Sequence, residues 1–436
     1  MAGTRRDILF DFSRLLTRFS RCAPNGIDRV DLGYAQHMLT PQRAGLGVLA
    51  SLGAPRAIEA DAARAAVDAI AGHWRETGSY ADDPEYHRLL AWLTRSDASN
   101  IANARSSPNQ RSLRSLISRA RNGSILGRQG LFPGQSLISR APPDSIYLNI
   151  SQFPLWIDGY FRWLDKRPDI RPIFFIHDLL PTRYPEFFPV GEAARHASRL
   201  SVLAKRAAGV VVSSETTRSM LERYLLDKNA RVPPICVNPL PVEPSFRTCQ
   251  TPDPTLSNHR YFATVGTIEP RKNHLLLLHI WREITASLGA KAPKLVIIGT
   301  RGWDCENVAD ILDRCDMTRS SVLELGHVST PALGHIITHA DALLMPTFSE
   351  GYGLPVTEAL SGGVPVIASD IDAFRRFDGD MITKINPIDG LEWMRQIFSR
   401  AHRPKRRLPS CVIQNTAHSQ SWSAHISRFE EFAATI

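Results

Sequence analysis

The sequence predicts an α/β protein built from two Rossmann-like domains that face each other across a cleft. Three observations carry this expectation. At 436 residues the chain exceeds what one hydrophobic core ordinarily organises. Short apolar runs alternate with helix-like segments, the pattern of a parallel sheet covered on both faces. That pattern appears twice, with a proline-rich stretch between its two appearances.

In the first half the strands are "DILFDF", "SIYLNI", "RPIFFIHDL", "AGVVVSSE" and "PPICVNP", and the loop "RFSRCAPNGIDRV" leads into the helix "DLGYAQHML". Residues 238–258 carry five prolines and little periodicity, which reads as a linker. The alternation then restarts with "YFATVGT", the helix "HLLLLHIWREITASL", "KLVIIGT", "SVLELGHV", "DALLMPT" and "PVIAS". The domains are therefore 1–245 and 255–417, with residues 418–436 a helix packing back on the first through Trp422, Ile426 and Phe429. In such sheets ligands sit at the carboxyl ends of the strands. The stretch from about 95 to 140 is an insertion rich in Arg, Ser and Gly. Its "RSLRSLISRAR" fits either a basic amphipathic helix on a membrane surface or a solvated excursion.

Hydrophobic residues at 43% and charged residues at 22% are those of a soluble globular protein, and no apolar run is long enough to span a bilayer. The first residues lack the layout of a signal peptide, so a cytoplasmic location is expected. The six cysteines are scattered with no C-x-x-C pair, which argues against a zinc site or a disulfide framework. A net charge of +9 suits a polyanionic partner or an indifferent basic surface.

Two stretches carry chemistry. "TVGTIEPRKNHLLLL" ends a strand at Gly266 and presents Arg271 and Lys272 before a helix, where backbone N–H groups and the helix dipole add to the side-chain charge on a phosphate. Taken alone, the same residues also fit two solvated cations beside an asparagine cap at Asn273. "PTFSEGYGLPVTEALSGGVPVIASD" sets Glu350 and Glu358 apart by seven residues around Gly351 and Gly353, with Pro355 at the first helical position. The glycines let a ligand approach the backbone, and the two acids suit vicinal hydroxyls of a sugar and a ribose. For Glu358 the alternative is a first-turn acid favoured by the helix dipole.

These two stretches resemble the retaining, nucleotide-sugar-dependent glycosyltransferases of the GT-B fold, glycosyl transferases group 1, the family with two glutamates separated by seven residues. The resemblance covers most of the chain and points to the bacterial polysaccharide type. It implies that Glu350 binds the donor sugar and Glu358 the ribose. Lys272 and Arg271 become a diphosphate clamp, helped by the backbone of Gly351, Tyr352, Gly353 and Leu354. It places His327 and Val328 of "LELGHVS" at the nucleobase, His177 of "FFIHDLLP" beside the transferred sugar, and Gly26 of "NGIDRV" in a loop over the phosphates. The catalytic group is thus Glu350, His177, Lys272 and Arg271, and the donor-binding group adds Gly26, Gly266, His327, Val328 and Glu358. Where many members have two adjacent glycines this chain has Asn25 and Gly26, and asparagine tolerates a left-handed backbone. Thr267 and Ile268 occupy the positions of the family's usual phosphate arginine, which leaves Arg271 as its substitute.

The activity implied is hexosyl transfer, of mannose or glucose type, from a nucleoside-diphosphate sugar to an acceptor hydroxyl in surface polysaccharide or glycolipid synthesis. No cofactor and no metal are expected, because the cations and the dipole can replace a metal held by Asp-x-Asp. The partners are the donor and a carbohydrate or lipid-linked acceptor. Peripheral contact with an anionic membrane at the inner face is compatible with the basic insertion. A phosphorylase or a sugar-nucleotide epimerase would share the fold. A basic nucleic-acid-binding protein is the rival of another class, but no DNA- or RNA-reading motif is found, so no nucleic acid is expected as partner.

Overall fold

The computed structural model describes residues 6–19, 24–40, 43–51, 54–74, 78–94, 135–247, 253–404 and 420–436. They divide into two compact units, one holding the described residues of 6–74, 135–240 and 420–436, the other those of 78–94 and 241–404.

The first unit is built on an eight-stranded sheet of β1 (Ile8–Asp11), β2 (Ala44–Leu49), β3 (Arg56–Ile58), β4 (Gln135–Ser136), β5 (Ile146–Asn149), β6 (Arg171–Ile176), β7 (Gly209–Val212) and β8 (Ile235–Val237). Its order is β4-β3-β2-β1-β5-β6-β7-β8, and only β3, antiparallel to both its neighbours, runs against the rest. β1, β5 and β7 are buried along their whole length, which is why they read as continuous apolar runs rather than alternating ones. The helix Gly26–Met38 starts on a capping box, with Asn25 and Asp28 each accepting from the other's backbone N–H. Asn25 is thus an extended N-cap (φ −91°, ψ 179°), not the left-handed residue the sequence suggested.

The last helix, Trp422–Thr435, packs within this unit. His425 Nε2 lies 2.7 Å from the Tyr34 hydroxyl, Asn238 Nδ2 donates to the His425 carbonyl, and Ile426 and Phe429 are buried.

The second unit has β9 (Tyr261–Val265), β10 (Lys294–Ile298), β11 (Val322–Leu325), β12 (Leu343–Met345), β13 (Val366–Ser369) and β14 (Ile382–Ile385), all parallel, in the order β11-β10-β9-β12-β13-β14. The strand order reverses between β9 and β12. At such a switch point the loops leaving the two central strands diverge and open a crevice.

One expectation needs correction. Residues 78–94, assigned by sequence to the first domain, belong to the second unit: Leu89, Trp92 and Leu93 of the helix Pro84–Thr94 enter its core. The proline-rich stretch holds the boundary between the two units, which falls after Leu240, but its apolar side chains are not left in solvent. Leu240, Val242, Phe246 and Leu256 within it are buried, because proline restricts the backbone without keeping neighbouring side chains out of a core. Residues 95–134, which hold most of the basic insertion, lie outside the described residues, as do 248–252 of the linker.

Candidate active site

The two chemically distinctive stretches meet at the switch point of the second unit. β9 ends at Val265, and Gly266 turns the chain with φ +148°. A side chain here would press on Lys272, since a Cβ would lie 3.0 Å from Lys272 Cε. A short 3-10 turn, Pro270–Lys272, follows, and then left-handed Asn273 opens the helix His274–Leu288. Asn273 does not cap that helix with its side chain. Its Nδ2 donates to the carbonyls of Pro346 (3.1 Å) and Pro387 (3.0 Å), stapling the turn to the loops that follow β12 and β14.

Arg271 and Lys272 are not solvated: each side chain is only 12% exposed. Lys272 Nζ donates to Glu350 Oε1 at 2.5 Å. Arg271 Nη1 lies 3.2 Å from Glu350 Oε2 and donates to the Ser349 carbonyl at 2.6 Å, while Nη2 donates to Glu269 Oε1 at 2.5 Å. The Arg271 carbonyl in turn accepts from Phe348 N and Thr347 Oγ1. The loop after β12 is therefore sewn to the turn after β9 through Arg271, Lys272 and Asn273. Two cations and two carboxylates share this cluster, so its charge is balanced.

Burial alone would raise the Glu350 carboxyl pKa, but Lys272 and Arg271 beside it reverse the sign and hold it below the usual value. Glu269 goes the other way: burial raises it, and Arg271 and Lys272 offset only part of the rise. No local pattern signals that Glu269 shares the arginine.

Gly351 and Tyr352 continue the loop to Gly353, whose φ of +77° ends it and starts the helix Leu354–Ser361. Arg376, missed by sequence reasoning, fixes this stretch. It donates to the Tyr352 carbonyl at 2.6 Å and stacks over the Tyr352 ring at 4.0 Å. Only the two adjacent arginines at 375 and 376 mark the spot in the sequence, and nothing there says which one turns inward. Leu354 is the first helical residue and Pro355 the second, not the first as expected. Glu358 consequently lies past the first turn and is fully buried, so the dipole reading of it falls.

His327 and Val328 lie in the turn after β11, beyond β10 from the switch point, with His327 at φ +60°.

Two expected site residues belong to the first unit. His177 follows β6, and its Nε2 lies 2.9 Å from the Ile150 carbonyl, which can only accept. The proton is therefore assigned to Nε2, leaving Nδ1 an acceptor. Burial lowers the His177 pKa to about 4, with Asp178 opposing, so the ring is neutral near pH 7. Gly26 is the first residue of its helix, and a Cβ there would meet nothing. Residues 20–23 of the loop before it lie outside the described residues.

Asp370 and Asp372, and likewise Asp378 and Asp380, form two Asp-x-Asp pairs in the sequence. All four residues are exposed, Asp372 pairs with Arg375 and Asp378 with Lys384. Among the described residues no group of three or more His, Cys, Asp or Glu side chains is placed to hold a metal ion. Among them, too, no helix is long and apolar enough to cross a membrane.

Two Rossmann-like units of this build define the GT-B fold, and solved structures share it with this chain. HepE from Anabaena in complex with UDP matches with a TM-score of 0.59 at 13% identity, covering 99% of this chain and 100% of that one. Sucrose-phosphate synthase from Thermosynechococcus elongatus matches with a TM-score of 0.51 at 18% identity, over 69% and 75% of the two chains. Residues 259–397, which contain the whole cluster just described, match the family "Glycosyl transferases group 1". Similar curated proteins include the serotype-specific mannosyltransferase WbdA of Escherichia coli, 28% identical over 46% of this chain and 26% of that one. The O-antigen chain mannosyltransferase B of Escherichia coli is 27% identical over 51% of this chain and 59% of its own length. The aligned part thus spans about a quarter of the first relative and under two thirds of the second.

Proposed function

We propose that the chain is a retaining glycosyltransferase that moves a hexose, of mannose type first, from a nucleoside-diphosphate sugar to an acceptor hydroxyl. The observation that carries this reading is the Glu350 carboxylate held between Lys272 and Arg271 at the switch point of the region that matches this family. The names of the curated relatives support mannose and an O-antigen-like carbohydrate acceptor, free or lipid-linked.

In this reaction the bond between the sugar's anomeric carbon and the diphosphate oxygen breaks. A bond to the acceptor oxygen forms on the same face, and the acceptor proton passes to the departing phosphate. Negative charge grows on that phosphate as the bond stretches. Lys272 and the N–H groups that open the helix His274–Leu288 supply fixed positive charge there, and such preorganised groups favour the transition state over the ground state. Arg271 acts through position: its contacts with Glu269, Ser349 and Glu350 fix the two loops on which the clamp stands. Glu350 is ionised, so it accepts hydrogen bonds from sugar hydroxyls. Neutral His177, an acceptor at Nδ1, is assigned to the transferred sugar and Glu358 to the ribose. No metal takes part on this reading, and the reaction runs in the cytoplasm at the inner membrane face.

The test is a panel of UDP-, GDP- and dTDP-sugars with and without mannose-ended oligosaccharides. Nucleoside diphosphate release is followed, and the product's anomeric configuration is read by NMR. Acceptor-dependent release with retained configuration is expected. Release with inverted configuration, or no turnover of any donor, rejects the reading.

A further inference from the structure

The turn after β11 is held from outside its own neighbourhood in sequence. Gly326 N donates to Glu85 Oε2 at 3.2 Å and Ser329 N donates to Asp83 Oδ2 at 2.8 Å. Two carboxylates of one short segment thus grip both ends of the turn that contains His327 and Val328. Between the grips His327 sits at φ +60°. For a residue with a side chain that left-handed conformation is disfavoured by a factor of about 5–30 in population.

The grip has its own foundation. Asp83 is fully buried, and its Oδ1 accepts from Glu85 N at 2.8 Å, starting the helix Pro84–Thr94. Arg88 Nη1 shares Glu85 Oε2 at 3.2 Å. The Tyr86 hydroxyl donates to Asp253, and the Tyr80 ring stacks on His335 at 3.7 Å with 8° between planes. Leu89, Trp92 and Leu93 are core residues of the second unit. These contacts fix the two carboxylates relative to the sheet independently of the turn they hold.

We propose that Asp83 and Glu85 are positioning residues for the donor's nucleoside: they hold the Gly326–Ser329 turn, and with it His327 and Val328, in the shape that receives the base. The inference rests on the nucleotide-sugar reading above. A carboxylate accepting from a backbone amide makes a charge-assisted bond, and releasing either end lets His327 relax out of its left-handed state. Only the fraction of molecules with the turn formed then binds the base, and apparent affinity falls by that fraction.

The experiment uses the full chain with whichever of UDP, GDP and dTDP it binds by calorimetry. Glu85→Ala is expected to weaken that binding by about 5–30-fold, the population factor of the turn. The KM for the donor should rise in step while kcat stays at the wild-type value, because the phosphates and the reacting carbon are held elsewhere. Glu85→Gln, which keeps an acceptor without its charge, should lose less. Adding His327→Gly should shrink the Glu85→Ala effect relative to His327→Gly alone, since glycine adopts that φ freely. A general loosening of the unit would not produce that rescue. Should Glu85→Ala fail to fold, Glu85→Gln and Asp83→Asn carry the test, because asparagine caps a helix as well as aspartate does. Wild-type affinity in a folded Glu85→Ala, a fall in kcat with KM unchanged, or an effect undiminished by His327→Gly overturns the inference. If the wild type binds no nucleoside diphosphate, the functional reading falls and this inference with it. If Lys272→Ala abolishes binding and Glu85→Ala does not alter it, only the positioning inference falls.

Discussion

Replacing Glu350 with glutamine should separate three effects that differ in sign. The carboxylate accepts from Lys272 at 2.5 Å and faces Arg271 at 3.2 Å with only 9% of its side chain exposed. The amide keeps one acceptor, so one charge-assisted bond is lost and an NH2 group turns towards a cation. At about 1.5–3 kcal/mol for such a bond and about 2–4 °C per kcal/mol for a domain of this size, the melting point should fall by about 3–12 °C. Nucleoside diphosphate binding should tighten. A phosphate oxygen seated on Lys272 would lie roughly 5 Å from the Glu350 carboxylate, where like charges repel by about 3 kcal/mol at an effective dielectric near 20. Removing that charge should strengthen binding by about tenfold even after half of the repulsion is screened away. Turnover should drop by about 10²–10³, the usual loss when a preorganised partner of the reacting group is removed. Calorimetry with UDP and GDP, melting curves with and without the nucleotide, and donor turnover measure all three. If nucleotide binding weakens in Glu350→Gln as it does in Lys272→Ala, or turnover is intact, the placing of the donor at this cluster is wrong.

Lys272→Ala should weaken nucleoside diphosphate binding by about 10–150-fold, the worth of one charge-assisted contact, and lower kcat as well; unchanged affinity by calorimetry rejects the clamp. Arg271→Ala should destabilise the fold more than Lys272→Ala, by about 3–5 kcal/mol, because it leaves the buried Glu269 unpaired; equal melting points would contradict this. Burial lowers the pKa of His274 to about 3 and that of His425 to about 4, so both rings are neutral in the fold while the unfolded chain takes up their protons below 6.5. Their contribution is full above pH 6.5 and is lost as the pH falls towards 4, at about 1.4 kcal/mol per pH unit for each ring. Urea midpoints at pH 7, 6 and 5 should therefore fall, and a flat series would refute the assignment. EDTA should leave transfer largely unchanged; loss restored by magnesium or manganese would show that a metal takes part.

Strands β1 and β5 to β13 were legible because parallel strands buried on both faces must be apolar along their length, whereas β2, β3, β4 and β14 were not read, β4 being two residues long and β14 only partly buried. The switch-point turn was legible because Gly266, Arg271, Lys272 and the 350–358 stretch keep their chemistry within short spans. What escaped was whatever depends on distant pairing. Asp83 looks in sequence like an ordinary cap before a proline and Glu85 like an ordinary first-turn acid, and both are that. Their second partners, Ser329 and Gly326, lie 246 and 241 residues away, so no local pattern assigns the segment 78–94 to its unit. The charge of the cluster escaped for a related reason. Sequence shows Arg271 and Lys272 as adjacent cations, and only the fold brings Glu350 onto both of them and turns Glu269 inward. That pairing follows from burial, since an unpaired cation at this depth would be strongly destabilising. A phosphate reaching Lys272 must therefore take the place of the Glu350 carboxylate rather than meet a bare positive charge. On the proposed reading the carboxylate is released towards the sugar as the phosphate takes the lysine, and it returns to the lysine as the phosphate leaves. The same exchange would hold donor affinity below that of an uncompensated clamp and help the nucleoside diphosphate depart.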